Sequence, residues 1–154
     1  MKKVGTYTAR GIVSEDETEL GLPQKISLFD GLFTTAYVVT SFQVWTSNIL
    51  ATAAGCVGKL SKTDTGVTAR ENFFRADDDN QIAWAVSEIE TDGGGLGPFG
   101  GTIIDRDNMI VEDLFVYIRA TTHETPINYL IEMDKYEISD WKGALTMARD
   151  RQQE

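Results

Sequence analysis

Hydrophobic and polar side chains alternate with a period of two along much of this chain, and such alternation is typical of half-buried β-strands. The clearest segment is 127–135, where one face carries Ile127, Tyr129, Ile131 and Met133. This segment predicts a strand whose apolar face is turned towards a hydrophobic core.

The same alternation recurs in 35–45, 81–90 and 114–120, and we predict seven more strands in all. They are 6–13, 25–29, 35–45, 56–60, 81–90, 101–104 and 114–120. About eight strands separated by turn-forming residues indicate an all-β fold, and we predict an antiparallel β-sandwich of the jelly-roll kind that forms one domain over residues 1–154. Asp30 and Gly31 predict a hairpin turn between strands 25–29 and 35–45, because glycine readily adopts positive φ.

Some of these strands carry apolar residues on both faces. In segment 35–45, strict alternation assigns Val38, Phe42 and Val44 to one face, and Val39 and Trp45 to the other. A lone sandwich needs only one apolar face per sheet, so we expect another subunit to cover the second face. We therefore predict a homo-oligomer.

A helix is predicted at the C-terminus, over about residues 139–152. Ser139 is a suitable N-cap, and Trp141, Leu145 and Ala148 follow at spacings of four and three, which gives a narrow apolar stripe. A helix of this length is marginal alone, so we expect it to pack on its own sandwich or on a neighbouring subunit.

Three polar stretches between the strands are predicted to be loops. Residues 14–22 carry an acidic run that we expect to be solvated, and residues 61–66 are expected to form an exposed turn. Residues 91–101 are rich in glycine and predict a flexible loop, which we expect to act as an arm between subunits, with Leu96 and Phe99 as its anchors.

Composition excludes several classes of protein. The 154 residues carry a formal net charge of −10, which argues against direct binding to nucleic acid or to anionic lipid. The first residues lack the apolar core of a signal peptide, and no apolar run is long enough for a membrane span, so we expect neither. We expect a protein that is made in a cytoplasm and binds no membrane.

Metal and cofactor sites have little support in the sequence. The glycine-rich run lacks the lysine and the spacing of a phosphate-binding loop. Asp77, Asp78, Asp79 and Asn80 could supply oxygen ligands to calcium, but they lack the alternation of an EF-hand. We expect a solvated hairpin loop there and a polar turn at 105–108, and we predict no metal and no cofactor.

Catalytic sites are also weakly supported. Two carboxylate pairs could serve a glycosidase, and they are Glu112 with Asp113 and Glu132 with Asp134. Glu132 and Asp134 belong to the polar face of a strand, where solvated charge is sufficient explanation. A nucleophile pair of Cys56 and His123 is formally possible, but a cysteine between small residues is typical of a core. We predict that the protein is not an enzyme.

Exposed aromatic residues leave a carbohydrate-binding module as an alternative function. Strand alternation accounts for Trp84 and the helical stripe accounts for Trp141, whereas Trp45 and Phe99 have no such structural explanation. Sugar-binding modules use tryptophan and tyrosine platforms, so this alternative stays open.

Several strand and turn segments together resemble short virion proteins that tailed phages of marine bacteria encode. The resembling segments are 26–33, 37–45, 81–84, 107–115 and 128–141. They are distributed between residues 24 and 142 and are structural signatures, so the resemblance implies no catalytic residue.

The resemblance implies a structural protein of the capsid or the tail. We expect a head decoration or cement protein that stiffens the shell by multivalent contacts, or a component of the tail or fibre base. The expected partners are the major capsid protein or other virion proteins, and a trimer is the favoured oligomer. The expected location is the virion. The candidate interface residues are Trp141, Leu145, Leu96, Phe99 and Trp45.

Overall fold

The chain was analysed as a computed structural model, which describes residues 2–29, 31, 34–48, 53–90, 99–121 and 125–138. Within these ranges it forms eight strands and one short helix. The elements are β1 (Lys2–Val13), α1 (Glu15–Leu20), β2 (Pro23–Ile26), β3 (Thr35–Thr46), β4 (Ala53–Ser61), β5 (Gln81–Glu90), β6 (Phe99–Ile104), β7 (Leu114–Ala120) and β8 (Ile127–Glu137). The prediction of a mostly antiparallel β-protein is confirmed.

The strands form two antiparallel sheets that share one hydrophobic core. The three-stranded sheet has the order β1-β8-β3, and the five-stranded sheet has the order β2-β7-β4-β5-β6. Phe42 and Ile131 of the first sheet and Leu60 and Ile118 of the second belong to the same buried cluster. Because these side chains come from both sheets, the core lies between them.

Strands β7 and β8 have the alternation that the sequence predicts. Ile127, Ile131 and Met133 of β8 are buried in the core, and Tyr129 packs against it from a partly buried position. In β7 the predicted inner residues, Leu114, Val116 and Ile118, are all completely buried.

Strand β3 does not keep the predicted alternation. Its pairing with β8 shifts register between Val39 and Ser41, where Thr40 is the extra residue. This bulge moves Val39 to the core side together with Phe42, while Val38 is only partly buried. The predicted assignment of Val38 to the core face and of Val39 to the second face is therefore wrong.

Strand β5 turns its small side chains, and not its tryptophan, towards the core. Ala83 and Ala85 are buried in the core cluster, whereas Trp84 is half-buried and Val86 is 42% exposed. Alternation along 81–90 predicts Ile82, Trp84 and Val86 on one face, and this prediction is wrong for Ile82. The pairing with β4 shifts register where Ile82 is the extra residue, so Ile82 is buried in the core, whereas Trp84 and Val86 lie on the outer face of the five-stranded sheet.

The predicted hairpin at Asp30 and Gly31 is wrong. Strand β2 pairs with β7 in the five-stranded sheet, whereas β3 pairs with β8 in the other sheet. Gly31 does adopt positive φ, at 82°, but it lies in a connection between sheets. Asp30 lies outside the described residues.

Residues 15–20 of the acidic stretch 14–22 form the helix α1 and not a loop, while Glu15, Asp16 and Glu19 are exposed to solvent as predicted. The acidic residues of its first turn suit the positive end of the helix dipole, and Gly21 ends the helix at φ 67°. Thr18 is completely buried, and its hydroxyl donates a hydrogen bond to the carbonyl of Thr125 at 3.0 Å. This contact is distant in sequence, which is why the local pattern did not predict it.

Two predicted segments lie wholly or partly outside the described residues. The C-terminal helix 139–152 and residues 91–98 of the glycine-rich run are not among the described residues. The end of that run is described, and there β6 begins at Phe99, so the predicted loop does not extend to residue 101. No helix in the described part of the chain is long and apolar enough to cross a membrane.

Candidate functional site

The outer face of the five-stranded sheet carries a row of large side chains. Lys59 of β4 lies opposite Tyr117 of β7 on one side and opposite Trp84 of β5 on the other. Trp84 in turn lies opposite Ile103 of β6. Residues that face each other in an antiparallel sheet point to the same side, so these four side chains form one continuous row.

Lys59 is completely buried in this row, although lysine is almost never fully buried without a partner. Its Nζ donates hydrogen bonds to the carbonyls of Val67 at 2.7 Å and Phe73 at 2.8 Å. The same Nζ lies 4.3 Å from the ring centre of Phe73 and 4.8 Å from that of Tyr117. Burial lowers the pKa of Lys59 to about 8, partly opposed by Asp78. The ammonium thus holds the segment 62–80 against the sheet.

Tyr117 holds the same segment at a second point. Its hydroxyl donates to the carbonyl of Thr63 at 2.9 Å and accepts from the N–H of Gly66 at 3.0 Å. Thr63 and Ser61 are buried. The prediction of an exposed turn at 61–66 is therefore wrong over its first residues, because β7 supplies a buried partner to this turn.

Two arginines complete the attachment of the segment 62–80. The guanidinium of Arg119 donates to the carbonyl of Thr68 and to that of Leu20 at the end of α1, the latter at 3.0 Å. Arg70 reaches back from the segment to the carbonyl of Ala120 at 3.0 Å. The cations on this face are thus engaged by backbone carbonyls, which suits a structural role more than recognition of an anion.

An open groove adjoins the row, and we call it the outer groove. Its volume is about 530 Å³ and its lining residues are Phe74, Ala76, Trp84, Val86, Gly101, Thr102 and Ile103. Ile103 is 69% exposed and Phe74 is 36% exposed. The Trp84 Nε1 donates to the Oε1 of Gln81 at 2.9 Å, so the polar atom of the indole is already engaged. The outer groove therefore offers an apolar surface with few hydrogen-bonding groups.

The predicted interface residue Trp45 lies on the other side of the molecule. It is 40% exposed on the outer face of the three-stranded sheet, where Asn128 is its cross-strand neighbour and Ile12 follows on β1. Ile12 is 59% exposed. Trp45 and Ile12 thus form a second exposed apolar area, bordered by an amide.

The structure does not bring the predicted interface residues together. Trp45 lies on the outer face of the three-stranded sheet, and Phe99 begins β6 in the five-stranded sheet. Leu96, Trp141 and Leu145 lie outside the described residues.

Asp113 and Asp134, two of the four candidate catalytic carboxylates, have structural partners. Asp113 accepts hydrogen bonds from the N–H groups of Leu28 at 3.1 Å and Phe29 at 3.3 Å, and its other oxygen pairs with Lys25 at 3.2 Å. Burial acts to raise the pKa of Asp113, but these donors outweigh it and lower the pKa below its usual value. Asp134 pairs with Lys3 at 3.0 Å.

Cys56 is buried, and burial raises the pKa of its thiol to about 12. A thiol with this pKa stays protonated near neutral pH and is a poor nucleophile. His123 lies outside the described residues. Cys56 therefore belongs to the core, as its small neighbours predict.

The acidic loop at 77–80 is built by its own hydrogen bonds. Arg75 binds the Asp77 carboxylate through two nitrogens at 2.8 and 2.6 Å, and Asp78 accepts the N–H of Asn80 at 3.0 Å. In the part of the chain that the structure describes, no group of three or more histidine, cysteine, aspartate or glutamate side chains could hold a metal ion.

Sequence reasoning missed the attachment of segment 62–80. One signal was available, because Lys59 is the only charged residue in the otherwise small and apolar strand β4. A charge in such a strand indicates a buried or paired ion. Its partners could not be inferred, since they are backbone carbonyls and aromatic rings from a loop and from β7.

No protein-family model and no curated protein matches the sequence. Among solved structures, the lectin from Bauhinia forficata in complex with GalNAc aligns over 90% of this chain and 83% of its own. The identity is 11% and the TM-score is 0.20, so this likeness carries no argument.

Proposed function

We propose that this protein is a non-enzymatic structural subunit of a phage particle, most simply a decoration or cement protein of the head. The observation that carries the proposal is the outer groove, whose exposed lining is apolar at Phe74, Val86 and Ile103. Exposed apolar surface of this kind marks a contact with another protein. Its partner is the major capsid protein or another virion protein, and the virion is its location.

The strand order supports a finer architecture for this proposal. A jelly roll of eight strands places strands 1, 8 and 3 side by side in one sheet and strands 2, 7, 4 and 5 in the other. The two sheets here have these orders, and β6 departs from the pattern because it pairs with β5. We therefore propose a jelly-roll-like β-sandwich, an architecture that viral capsid domains and lectins use.

Two exposed apolar areas on opposite sheets support an adhesive role. Val86 and Ile103 lie on the five-stranded sheet beside Phe74 of segment 62–80, and Ile12 and Trp45 lie on the three-stranded sheet. A subunit with two such areas can bind two neighbours at once, and repeated contacts of moderate strength add up over a particle surface. The homo-oligomer expected from the sequence belongs to the same proposal.

Binding to assembled particles tests this proposal. Purified protein is mixed with particles that lack it, and sedimentation measures the bound fraction. We expect binding by the unmodified protein and by Val67→Asp, and loss of binding by Val86→Asp. Val67 and Val86 are similarly exposed, at 45% and 42%, but Val67 does not line the outer groove. Equal binding by both variants, or no binding by the unmodified protein, would contradict the proposal.

A carbohydrate-binding module is the second candidate, and Trp45 favours it. Its exposed indole lies on a strand face beside Asn128, and the next row contains Gln43 and Arg10 opposite Leu130. An aromatic platform with amides at its border is suited to a sugar ring, whereas the outer groove has too few polar groups. A glycan array tests this function, with Trp45→Ala expected to abolish any signal and Trp84→Ala expected to retain it.

A further inference from the structure

The two sheets have four edge strands, and natural proteins protect such edges against pairing with other chains. Strand β1 carries Lys2, Lys3 and Arg10, and its pairing with β8 shifts register after Lys3. Strand β2 has only four residues, which include Pro23 and Lys25. Charges, a proline, short length and a bulge are the usual protective devices, so both of these edges are blocked.

The edge at β3 is also protected. Its bulge at Thr40 interrupts the regular ladder, and an isolated bridge joins Tyr37 to Ile110 near the start of the strand. The N–H and carbonyl of Tyr37 both bond to Ile110, at 2.8 Å each. A second chain cannot pair along β3 without displacing this bridge.

Strand β6 has none of these protections. Its sequence, Phe-Gly-Gly-Thr-Ile-Ile, contains no charge and no proline, and its pairing with β5 has no register shift. Among the residues that the structure describes, β6 has a strand neighbour on the β5 side only. The consecutive residues Gly101, Thr102 and Ile103 are all exposed, so this edge is open on both faces of the sheet.

We propose that β6 pairs with β6 of a second copy of this chain, antiparallel and about a twofold axis. A strand edge is self-complementary in this arrangement, because each copy presents the same alternating N–H and carbonyl groups. The outer face of β6 must continue into the outer face of its partner, so residues of the same face lie opposite each other.

This requirement selects a register. With Thr102 opposite Thr102 of the second copy, Ile103 of each copy lies opposite Gly101 of the other. The space around Gly101 is empty within 4 Å, so it can accept the isoleucine side chain. Opposed threonines are a favourable cross-strand pair. The five-stranded sheets become one sheet of ten strands, and the two outer grooves become continuous.

The mass of the purified protein in solution tests the pairing. We expect a dimer for the unmodified chain and a monomer for Thr102→Lys, which places two charges opposite each other at the centre of the contact. Thr8→Lys is the matched control, because Thr8 is an exposed threonine on the edge strand β1. It is expected to stay dimeric. A monomeric unmodified chain, or an oligomer that Thr102→Lys does not dissociate, would overturn the proposal.

A cysteine at the same position tests the register. Opposed residues of an antiparallel pair have Cα atoms about 4.5–5.5 Å apart, within the range that a disulfide spans. Thr102→Cys is expected to give a covalent dimer on oxidation, and Thr8→Cys is not. Cys56 does not compete because it is buried. Equal cross-linking of both variants, or none by Thr102→Cys, contradicts the register.

These measurements use the protein alone, so they are independent of the proposed role in a particle. Phe74→Asp is expected to lose particle binding and to remain dimeric, because Phe74 lines the outer groove from segment 62–80 and lies on neither β5 nor β6. An unmodified chain that is monomeric in solution but binds particles would contradict this inference only. An unmodified chain that is dimeric but binds no particle would contradict the proposed function only.

Discussion

Lys59 and Tyr117 lie directly opposite each other on β4 and β7, and the Lys59 ammonium lies 4.8 Å from the centre of the Tyr117 ring. Both side chains bind the backbone of segment 62–80, Lys59 at the carbonyls of Val67 and Phe73 and Tyr117 at Thr63 and Gly66. They therefore act as one clamp, which fixes the segment that supplies Phe74 to the outer groove.

The buried ammonium predicts a distinctive pH dependence. Burial lowers the pKa of Lys59 to about 8 in the folded protein, while the unfolded chain keeps the ordinary lysine value near 10.4. Between these values the unfolded state binds more protons, so this residue makes the fold more stable as pH rises. In Lys59→Met that contribution is absent. We expect the free energy of unfolding of the unmodified protein, minus that of the variant, to increase by about 1–2 kcal/mol from about pH 8 to pH 10.

Urea unfolding of both proteins at matched pH values measures this difference. Cys56, whose pKa burial raises to about 12, opposes the trend at alkaline pH, but it is present in both proteins and cancels. A difference that stays constant or falls over this range would show that Lys59 is not a buried cation.

Removing the Tyr117 hydroxyl tests the other half of the clamp. Tyr117→Phe leaves the Thr63 carbonyl and the Gly66 N–H without their partner, and we expect a loss of about 1–3 kcal/mol in the free energy of unfolding. Hydrogen exchange is expected to be faster at Gly66 than in the unmodified protein.

Tyr129→Phe is the matched control for this change. Tyr129 is partly buried, and burial raises the pKa of its hydroxyl, with a smaller contribution from Tyr7. It lies on β8, outside the clamp, so its variant is expected to leave exchange at Gly66 unchanged. Faster exchange in both variants would indicate a general loss of stability and not a local one.

The sequence predicts the inner faces of β7 and β8 well because neither strand carries a bulged residue, so the inner positions keep a period of two and are buried or, at Tyr129, partly buried. The fold class depends mainly on such strands, and it is confirmed. In β3 one inserted residue, Thr40, reverses the faces on its two sides, so Val38 and Val39 exchange their predicted places. A bulge is set by pairing with another strand, and a single segment gives no sign of it.

The clamp and the helix α1 could not be predicted, because their partners are distant in sequence. Thr18 is buried by a contact with Thr125, and Lys59 is covered by the segment that follows its own strand. Likewise only the packed sheets decide that Ala83, and not Trp84, faces the core, and the extra residue Ile82 of β5 is buried beside Ala83 against the predicted alternation. Local pattern gives the two faces of a strand, and tertiary packing decides which one is inside.

Asp113 is expected to stabilise the fold at neutral pH and not in acid. Its pKa is lowered in the folded state, so its contribution is present above the unfolded value near 3.9 and is lost as pH falls through the folded value. Asp113→Ala removes the acceptor of two backbone N–H groups and is expected to cost about 1–3 kcal/mol at pH 7.

Unfolding by urea at neutral pH and at about pH 2 measures both parts of this prediction. The difference in free energy of unfolding between the unmodified protein and Asp113→Ala is expected to be smaller in acid, because neither protein then carries a charge at this position. Asp77→Ala is the control, because the ion pair of Asp77 with Arg75 is on the surface and is expected to contribute little. A loss that is equally large in acid would show that the charge of Asp113 is not what binds the segment 27–29.

Gly58 of β4 lies in the core against side chains of the facing sheet, and this position predicts the effect of one methyl group. A Cβ at Gly58 would be 2.9 Å from Cγ1 of Val44 and 3.0 Å from Cζ of Phe42, both on the facing sheet. These side chains are buried, so the sheets must separate or the rotamers must change, and we expect Gly58→Ala to lower the free energy of unfolding by about 1–3 kcal/mol.

Gly5→Ala is the matched control on β1, since nothing lies within 4 Å of the added atom there. Alanine also restricts the unfolded chain, so the control is expected to be neutral or slightly stabilising. Thermal unfolding tests this prediction, and we expect a lower midpoint for Gly58→Ala than for Gly5→Ala. Equal midpoints would mean that the sheets do not pack against each other at Gly58.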